Sequence, residues 1–303
     1  MTTILLTGMA GQVGRELASL LPRVGCVVAT GRRQLDLTDP DSIRRAIRDA
    51  APSVIVNAAG YTAVDDAESE QALAIQVNGV APGIIAEEAK RIGALLVHYS
   101  THYVYAGGQE KPYVEEDPPG PLNVYGKSKL EGERAITAVG GAHLILRTSW
   151  IYSTQPINFV QTILKLARER QELRVVEDQT GSPTWARELA KATVELLRQE
   201  QLARQESGIY HLSATGHTTR FSFAKRILEI SRGLSHAPAT LPAMRPVTTA
   251  EYPLPAARPL NVMTSQSKIA RRFGVEMPPW EAQLEDCLRE LLADGQRARS
   301  APA

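Results

Sequence analysis

Thr3-Ile-Leu-Leu-Thr-Gly-Met-Ala-Gly-Gln-Val-Gly14 opens the chain with an apolar run that breaks into glycines at positions 8, 11 and 14. The run reads as a buried strand, and the amphipathic stretch 12–21 that follows reads as a helix stopped by Pro22. Glycines at this spacing between a strand and a helix form a dinucleotide-binding turn. Small residues let the backbone approach a pyrophosphate, and the helix N-terminus offers free N–H groups with partial positive charge. Gly8, Gly11, Gln12, Val13 and Gly14 are the first candidate cofactor-binding residues.

The same unit recurs downstream. Residues 27–29, 54–57, 94–99 and 144–146 read as strands. Helical patterns lie between them at 40–49, from about 72 to 92, and at 124–138, with Asp39 an N-cap before Pro40. The strands are unbroken apolar runs, as a parallel sheet covered on both faces requires. Repeated β-α units imply right-handed crossovers, so the expected class is α/β: a Rossmann-type doubly wound parallel sheet with a smaller C-terminal substrate-binding domain. The expected division is a cofactor-binding domain at 1–150, to which the chain returns around 185–215, and a mainly substrate-binding domain at 151–303. Within the latter, 159–170, 186–199 and 218–231 read as helices and 209–212 as a short strand. The proline-rich stretch 237–259 is expected to wrap over a site, and 295–303 to be disordered.

A chain of 303 residues with 43% hydrophobic and 22% charged content is an ordinary globular protein. Its net charge of +1 gives no reason to expect nucleic acid or an anionic membrane as partner, so any anionic ligand needs a local site. No apolar run reaches the ~18 residues of a membrane span. No basic segment precedes Ile4, so no signal peptide is expected. Cys26 and Cys287 are the only cysteines. That argues against a disulfide framework, suits a cytoplasmic location, and leaves both expected as small buried hydrophobes.

Chemistry concentrates at strand ends. The second strand leads to Thr30-Gly-Arg-Arg33, where an NAD-binding chain would carry a carboxylate. Two guanidinium groups at Arg32 and Arg33 suit a 2′-phosphate, so NADPH is favoured, with NADH the other option. Asp36 and Leu37 are expected to flank the adenine. Asn57-Ala-Ala-Gly60 after the third strand leaves room for a cofactor at Ala58 and Ala59, with Tyr61 next to them. The decisive pair is Tyr125 and Lys129 in Asn123-Val-Tyr-Gly-Lys-Ser-Lys129. At i and i+4 they share a helix face. A phenol with a pKa near 10 is a poor acid, and a neighbouring ammonium lowers that value. Thr101, closing the fourth strand, adds a hydroxyl to orient a carbonyl, and a nicotinamide supplies the hydride. A Tyr-x-x-x-Lys alone is common on idle helix surfaces; it is the shared frame that joins these three.

With these motifs on one chain, the sequence resembles the extended short-chain dehydrogenase/reductase superfamily, and more closely its dTDP-4-dehydrorhamnose reductases. The likeness runs from Thr7 to about Trp280. It is carried by Gly11–Leu17, Val54–Ala59, Tyr61–Asp65 with Glu68, His98–Thr101, Pro121–Gly126, Arg147–Trp150, Asp178-Gln179 with Gly181 and Pro183-Thr184, and Arg258-Pro259. The resemblance implies reduction of the C4 ketone of dTDP-4-dehydro-6-deoxy-L-mannose to dTDP-L-rhamnose by NADPH or NADH. Tyr125 would give the proton, Lys129 would hold the ribose, and Thr101 would bond the carbonyl. Val64, Asp65, Trp150 and Arg258 fall in stretches that help form the family's substrate site, Arg258 serving the diphosphate. His102 stands where the family commonly has Asp; it either braces the loop or touches substrate, and it can add a titration near neutrality. Some members are magnesium-dependent homodimers with the ion bound by glutamates between subunits; Glu16 and Glu188 lie in stretches that match, with a C-terminal glutamate such as Glu290 as a candidate third. Two other readings stay open. One is a related 4-epimerase or 4,6-dehydratase, although His102-Tyr103 lacks the dehydratase's Asp-Glu pair. The other is a regulatory subunit of methionine adenosyltransferase, which is built on this scaffold and need not keep Thr101, Tyr125 and Lys129.

Overall fold

The computed structural model describes residues 2–155, 158–234 and 241–300, with side chains described through 293. The first half alternates strands and helices: β1 (Thr3–Thr7), α1 (Gln12–Leu20), β2 (Cys26–Thr30), α2 (Pro40–Ala50), β3 (Val54–Asn57), α3 (Gln71–Ile75), α4 (Ala81–Ile92), β4 (Leu95–Thr101), α5 (Val124–Val139) and β5 (His143–Thr148). The second half adds β6 (Ile151–Tyr152), α6 (Phe159–Glu169), β7 (Glu172–Val176), β8 (Thr180–Gly181), β9 (Thr184–Trp185), α7 (Ala186–Arg198), α8 (Glu200–Gln205) and β10 (Gly208–His211). It ends with β11 (Thr218–Thr219), α9 (Arg220–Gly233), β12 (Ala243–Val247), α10 (Ser267–Phe273) and α11 (Trp280–Ser300).

Six strands form one sheet in the order β10-β5-β4-β3-β1-β2, every pair parallel. This is the expected α/β doubly wound architecture. Alternate residues of each strand feed opposite cores, which is why the runs read as unbroken apolar sequence. Ile4, Leu6, Val56 and Val97 pack with Leu17 of α1 and Leu189 of α7. Leu5, Ile55 and Leu96 pack with Ile43 of α2, Ile85 of α4 and Ile136 of α5. A third core unites Tyr152, Trp185, Phe223, Trp280 and Leu284 from the second half. The order of strands reverses between β1 and β3, and the ends of those strands open the crevice where such sheets take ligands.

Gly14 makes the first turn possible. A Cβ there would lie 2.0 Å from the Gly8 carbonyl oxygen, so α1 can approach the β1 turn only without a side chain at 14. The stretch expected as one helix from about 72 to 92 is interrupted by a π-helical turn, Gln76–Val80. Asn78 in that turn uses both ends of its amide on Tyr61, accepting from its N–H and donating to its carbonyl at 2.9 Å each. A π turn at a functional surface is a recurrent device for aiming such a group.

The proline-rich stretch does wrap. After β12 pairs with β7, the chain crosses back over the first half: Ala256 N–H bonds Asp65, Asn123 donates to the Ala257 carbonyl, and Asn261 N–H reaches the Gly107 carbonyl. Residues 237–240 of it lie outside those described. Two expectations fail. Residues 295–300 are helical, continuing α11, and 301–303 lie outside the described residues. Cys26 begins the edge strand β2 and is exposed, so only Cys287 is a buried hydrophobe. No helix among the described residues is long and apolar enough to cross a membrane.

A buried ion pair locks α5 to the sheet. Arg147 of β5 and Glu133 of α5 are 3% and 1% exposed and meet at 2.6 Å. Removing one member strands the other charge in the interior. Glu133→Ala is expected to lower unfolding free energy by about 3–5 kcal/mol, read as a shift of the urea midpoint at constant slope; a midpoint near wild type would contradict this.

Candidate active site

One cleft of about 940 Å³ runs along the C-terminal ends of β1, β3, β4 and β5. At one end it is lined by Gly8, Ala10, Gly11, Gln12 and Val13, then by Arg32, Asp36, Leu37, Ala58, Ala59 and Tyr61. At the other it is lined by Val64, Thr101, His102, Tyr103, Thr148, Trp150 and Arg220, with Tyr125 and Lys129 between. The glycine end fits a dinucleotide pyrophosphate. Gly11 caps α1 without a side chain on the first-turn amides, so those N–H groups are free for an anion.

Four of the residues nominated for cofactor or substrate do not line the cleft: Gly14, Arg33, Asp65 and Arg258. Gly14 serves the helix–turn approach. Arg33 is exposed, and of the two arginines only Arg32 faces the cleft, 3.6 Å from Asp36. Asp65 and Arg258 pair with each other at 2.7 Å, and Asp65 also accepts from Ala256 N–H. They clasp the crossing strand to the first half, and the Arg258 charge is already matched.

Other quoted motif residues prove to be fasteners. Glu68 accepts from Val124 N–H at 2.9 Å and Asn123 caps Gly126 N–H at 2.7 Å, so the first turn of α5 is tied from two sides. Asp178 accepts from the N–H and hydroxyl of Thr249, holding the chain after β12. Gly181 leaves the space that the Trp150 indole fills; a Cβ there would sit 2.7 Å from the ring. Trp150 itself has φ +39°, the left-handed region that a tryptophan adopts only when its surroundings force it.

Tyr125 stands in the cleft beside Thr101, whose side chain is buried. Its pKa is not lowered as the i,i+4 spacing suggested. Burial pushes it up to about 12, with the Thr101 hydroxyl opposing. The phenol is therefore protonated at neutral pH, the form a proton donor needs. The Lys129 ammonium is directed elsewhere: it donates to the Tyr99 carbonyl at 2.6 Å and lies 3.2 Å from His98 Nε2. Burial brings the Lys129 pKa down to about 8, with Glu133 one turn along opposing. His98 in turn lies 2.9 Å from the Asn57 amide, and Asn57 accepts from the Thr7 hydroxyl at 2.6 Å. This buried chain joins β1, β3, β4 and α5. The sequence showed these residues as motif letters; their contact depends on strand register, Thr7 beside Asn57 and Asn57 beside His98.

His102 does not titrate near neutrality. It is 4% exposed, and burial pushes its pKa down to about 3. Its Nδ1 lies 2.9 Å from the Thr148 carbonyl, so the neutral ring donates there and leaves Nε2 an acceptor. Neither Nε2 nor the Thr148 hydroxyl has a partner among the described residues, and both residues line the cleft. Where the family commonly has Asp, this chain thus presents a neutral acceptor.

The carboxylates nominated for magnesium do not form a metal cluster. Glu16 and Glu290 both bond the Arg187 guanidinium, and Glu188 pairs with Lys191 at 2.6 Å. No group of three potential ligands occurs among the described residues.

A dinucleotide cradle opening onto a Thr–Tyr–Lys set at the ends of parallel strands is the arrangement of the extended short-chain dehydrogenases/reductases. Within that class the chain belongs to the family described as RmlD substrate binding domain, whose profile matches residues 1–293. It is 44% identical to a dTDP-4-dehydrorhamnose reductase of Burkholderia thailandensis over 96% of this chain and 99% of that one. Against the Escherichia coli K12 dTDP-4-dehydrorhamnose reductase the identity is 40%, covering 95% and 97%. The crystal structure of the Bacillus anthracis dTDP-4-dehydrorhamnose reductase in complex with NADP superposes with a TM-score of 0.88 at 33% identity, covering 95% of this chain and 99% of that one.

The two perturbed groups set the pH behaviour. A lysine whose pKa is lowered loses its charge as pH rises through that value. With Lys129 at about 8, kcat/KM for the reduced cofactor is expected to hold through neutral pH and fall above about 8. His102 at about 3 adds no inflection in the ordinary imidazole range. A profile that breaks near pH 6.5 in wild type but not in His102→Asp would contradict the second statement.

Proposed function

We propose that the chain reduces the C4 ketone of dTDP-4-dehydro-6-deoxy-L-mannose to dTDP-L-rhamnose with NADPH, with Tyr125 as proton donor. The observation that carries this reading is the position of Tyr125, a protonated phenol in the same cleft as the glycine turn, Thr101 and Trp150. The full-length likeness to reductases of that name agrees with it.

The residues 1–150, with the returning segment that supplies α7 and β10, hold the cofactor, and the remaining second half holds the sugar nucleotide. The first-turn amides of α1 take the pyrophosphate, and Arg32 meets the ribose 2′-phosphate. The reduced nicotinamide supplies hydride. Lys129 would bond the nicotinamide ribose hydroxyls, with Glu133 helping to keep it charged. Thr101 and Tyr125 converge on the ketone oxygen. As negative charge grows on that oxygen, the Tyr125 proton transfers to it. His102 Nε2 and the Thr148 hydroxyl accept from and donate to sugar hydroxyls, filling their empty hydrogen-bond positions.

Tyr125→Phe removes the proton donor and keeps the ring. Its kcat for oxidation of NADPH with the enzymatically generated keto sugar is expected to fall at least ~100-fold; near-wild-type turnover would refute the assignment. For the cofactor, Arg32→Ala is expected to lower the NADPH-to-NADH ratio of kcat/KM at least ~10-fold, the loss of about 1.4 kcal/mol of a charge-assisted contact. Arg33→Ala should leave that ratio near wild type, and equal effects of the two would overturn the distinction.

A further inference from the structure

Arg220 is the first residue of α9, and its guanidinium faces the cleft 3.7 Å from the centroid of the Trp150 ring and 5.1 Å from that of Phe159. Tyr103 lies beside it in the cleft. Among the described residues Arg220 takes part in no ion pair, whereas the nearby Arg258 is matched by Asp65 at 2.7 Å. Three features make this an unfavourable place for an unmatched cation. Burial penalises the charge. Position N1 lies at the positive end of the α9 dipole, where anions and not cations are stabilised. Arg258 adds like charge. An anion in the cleft would relieve all three at once.

The surroundings hold the guanidinium ready for such a ligand. Trp150 is fixed in a left-handed conformation with its indole in the space above Gly181. A guanidinium resting on a fixed ring has its fork oriented in advance, and a phosphate accepts that fork bidentately. The location separates this site from the cofactor's own pyrophosphate, whose cradle is at the glycine turn. Arg220 lies beside Tyr103, and the Tyr103 ring lies 5.9 Å, edge to face, from the ring of Tyr125. In a hexopyranose C1 and C4 are opposite corners of the ring, so a phosphate borne on C1 lies one ring width from a ketone at C4.

We propose that Arg220 binds the sugar-proximal phosphate of a nucleoside diphosphate sugar, stacked on Trp150 as it does so. The assignment deepens the reductase reading and rests on it for the sugar. Its anion is the diphosphate, and the residue acts in binding rather than in proton transfer.

The test measures affinity of the holoenzyme, with NADP+ bound, for dTDP and for thymidine by titration calorimetry. Arg220→Gln is expected to weaken dTDP about 30-fold, the scale of a charged hydrogen-bonded contact, while thymidine and NADPH stay within about twofold of wild type. Arg220→Lys keeps the charge without the fork and should fall between. In turnover the glutamine variant should raise KM for the keto sugar nucleotide more than it lowers kcat. Equal dTDP affinity in wild type and Arg220→Gln would overturn the proposal, and so would a parallel loss of NADPH affinity, the mark of a structural prop. Wild-type turnover of the keto sugar alongside unchanged dTDP binding in the variant would sink the Arg220 site and spare the reductase reading. Arg220-dependent dTDP binding by a wild type that cannot reduce the keto sugar would do the reverse.

Discussion

The arrangement depends on a buried ammonium. Lys129 is 5% exposed, yet its charge is taken up by the Tyr99 carbonyl and lies beside His98, with Glu133 a turn further along α5. A charge withdrawn from water is tolerable only where its donors find acceptors. That condition is met because α5 crosses the sheet where β4 ends, and because Arg147 clamps Glu133 from β5. Once Lys129 is seated there, Tyr125 one turn earlier is brought to the rim of the cleft beside Thr101.

Charge in the cleft follows a simple plan. A near-neutral protein presents its positive potential at two separated places, each suited to phosphate. The α1 N-terminus with Arg32 lies at one end and Arg220 on Trp150 at the other. Between them the Tyr125 phenol is protonated and the His102 imidazole uncharged, and the Lys129 ammonium spends a bond on the Tyr99 carbonyl. Acceptors and donors there can meet a sugar without bringing counter-charges into a site where an oxyanion must form. By contrast, acidic residues that look available in the sequence are spent on structure. Glu16 and Glu290 hold Arg187, Asp65 holds Arg258, and Asp178 holds Thr249.

Several uncompensated groups lie at the β4–β5 end of the cleft. Trp150 has a left-handed backbone, Arg220 lies in no ion pair at a helix N-terminus, and His102 Nε2 and the Thr148 hydroxyl have no partner among the described residues. Each is a cost in the free protein that a ligand of suitable shape removes, and such departures from local rules are expected where binding, rather than folding, shaped the residue.

Local order along the chain determined much of this. The apolar runs, the glycine spacing and the i,i+4 pair are contacts between near neighbours, so the doubly wound sheet, the cofactor turn and the Thr101–Tyr125–Lys129 set were legible in the residues. Contacts between distant segments were not. That Asp65 spends its carboxylate on Arg258, that Lys129 faces His98 instead of lowering the Tyr125 pKa, that Arg33 turns away while Arg32 lines the cleft, and that a lone Arg220 rests on Trp150 all follow from strand register and helix crossing. Burial decided the rest: the same phenol and imidazole would titrate near 10 and 6.5 in water, and only the packing around them moves the one up and the other down.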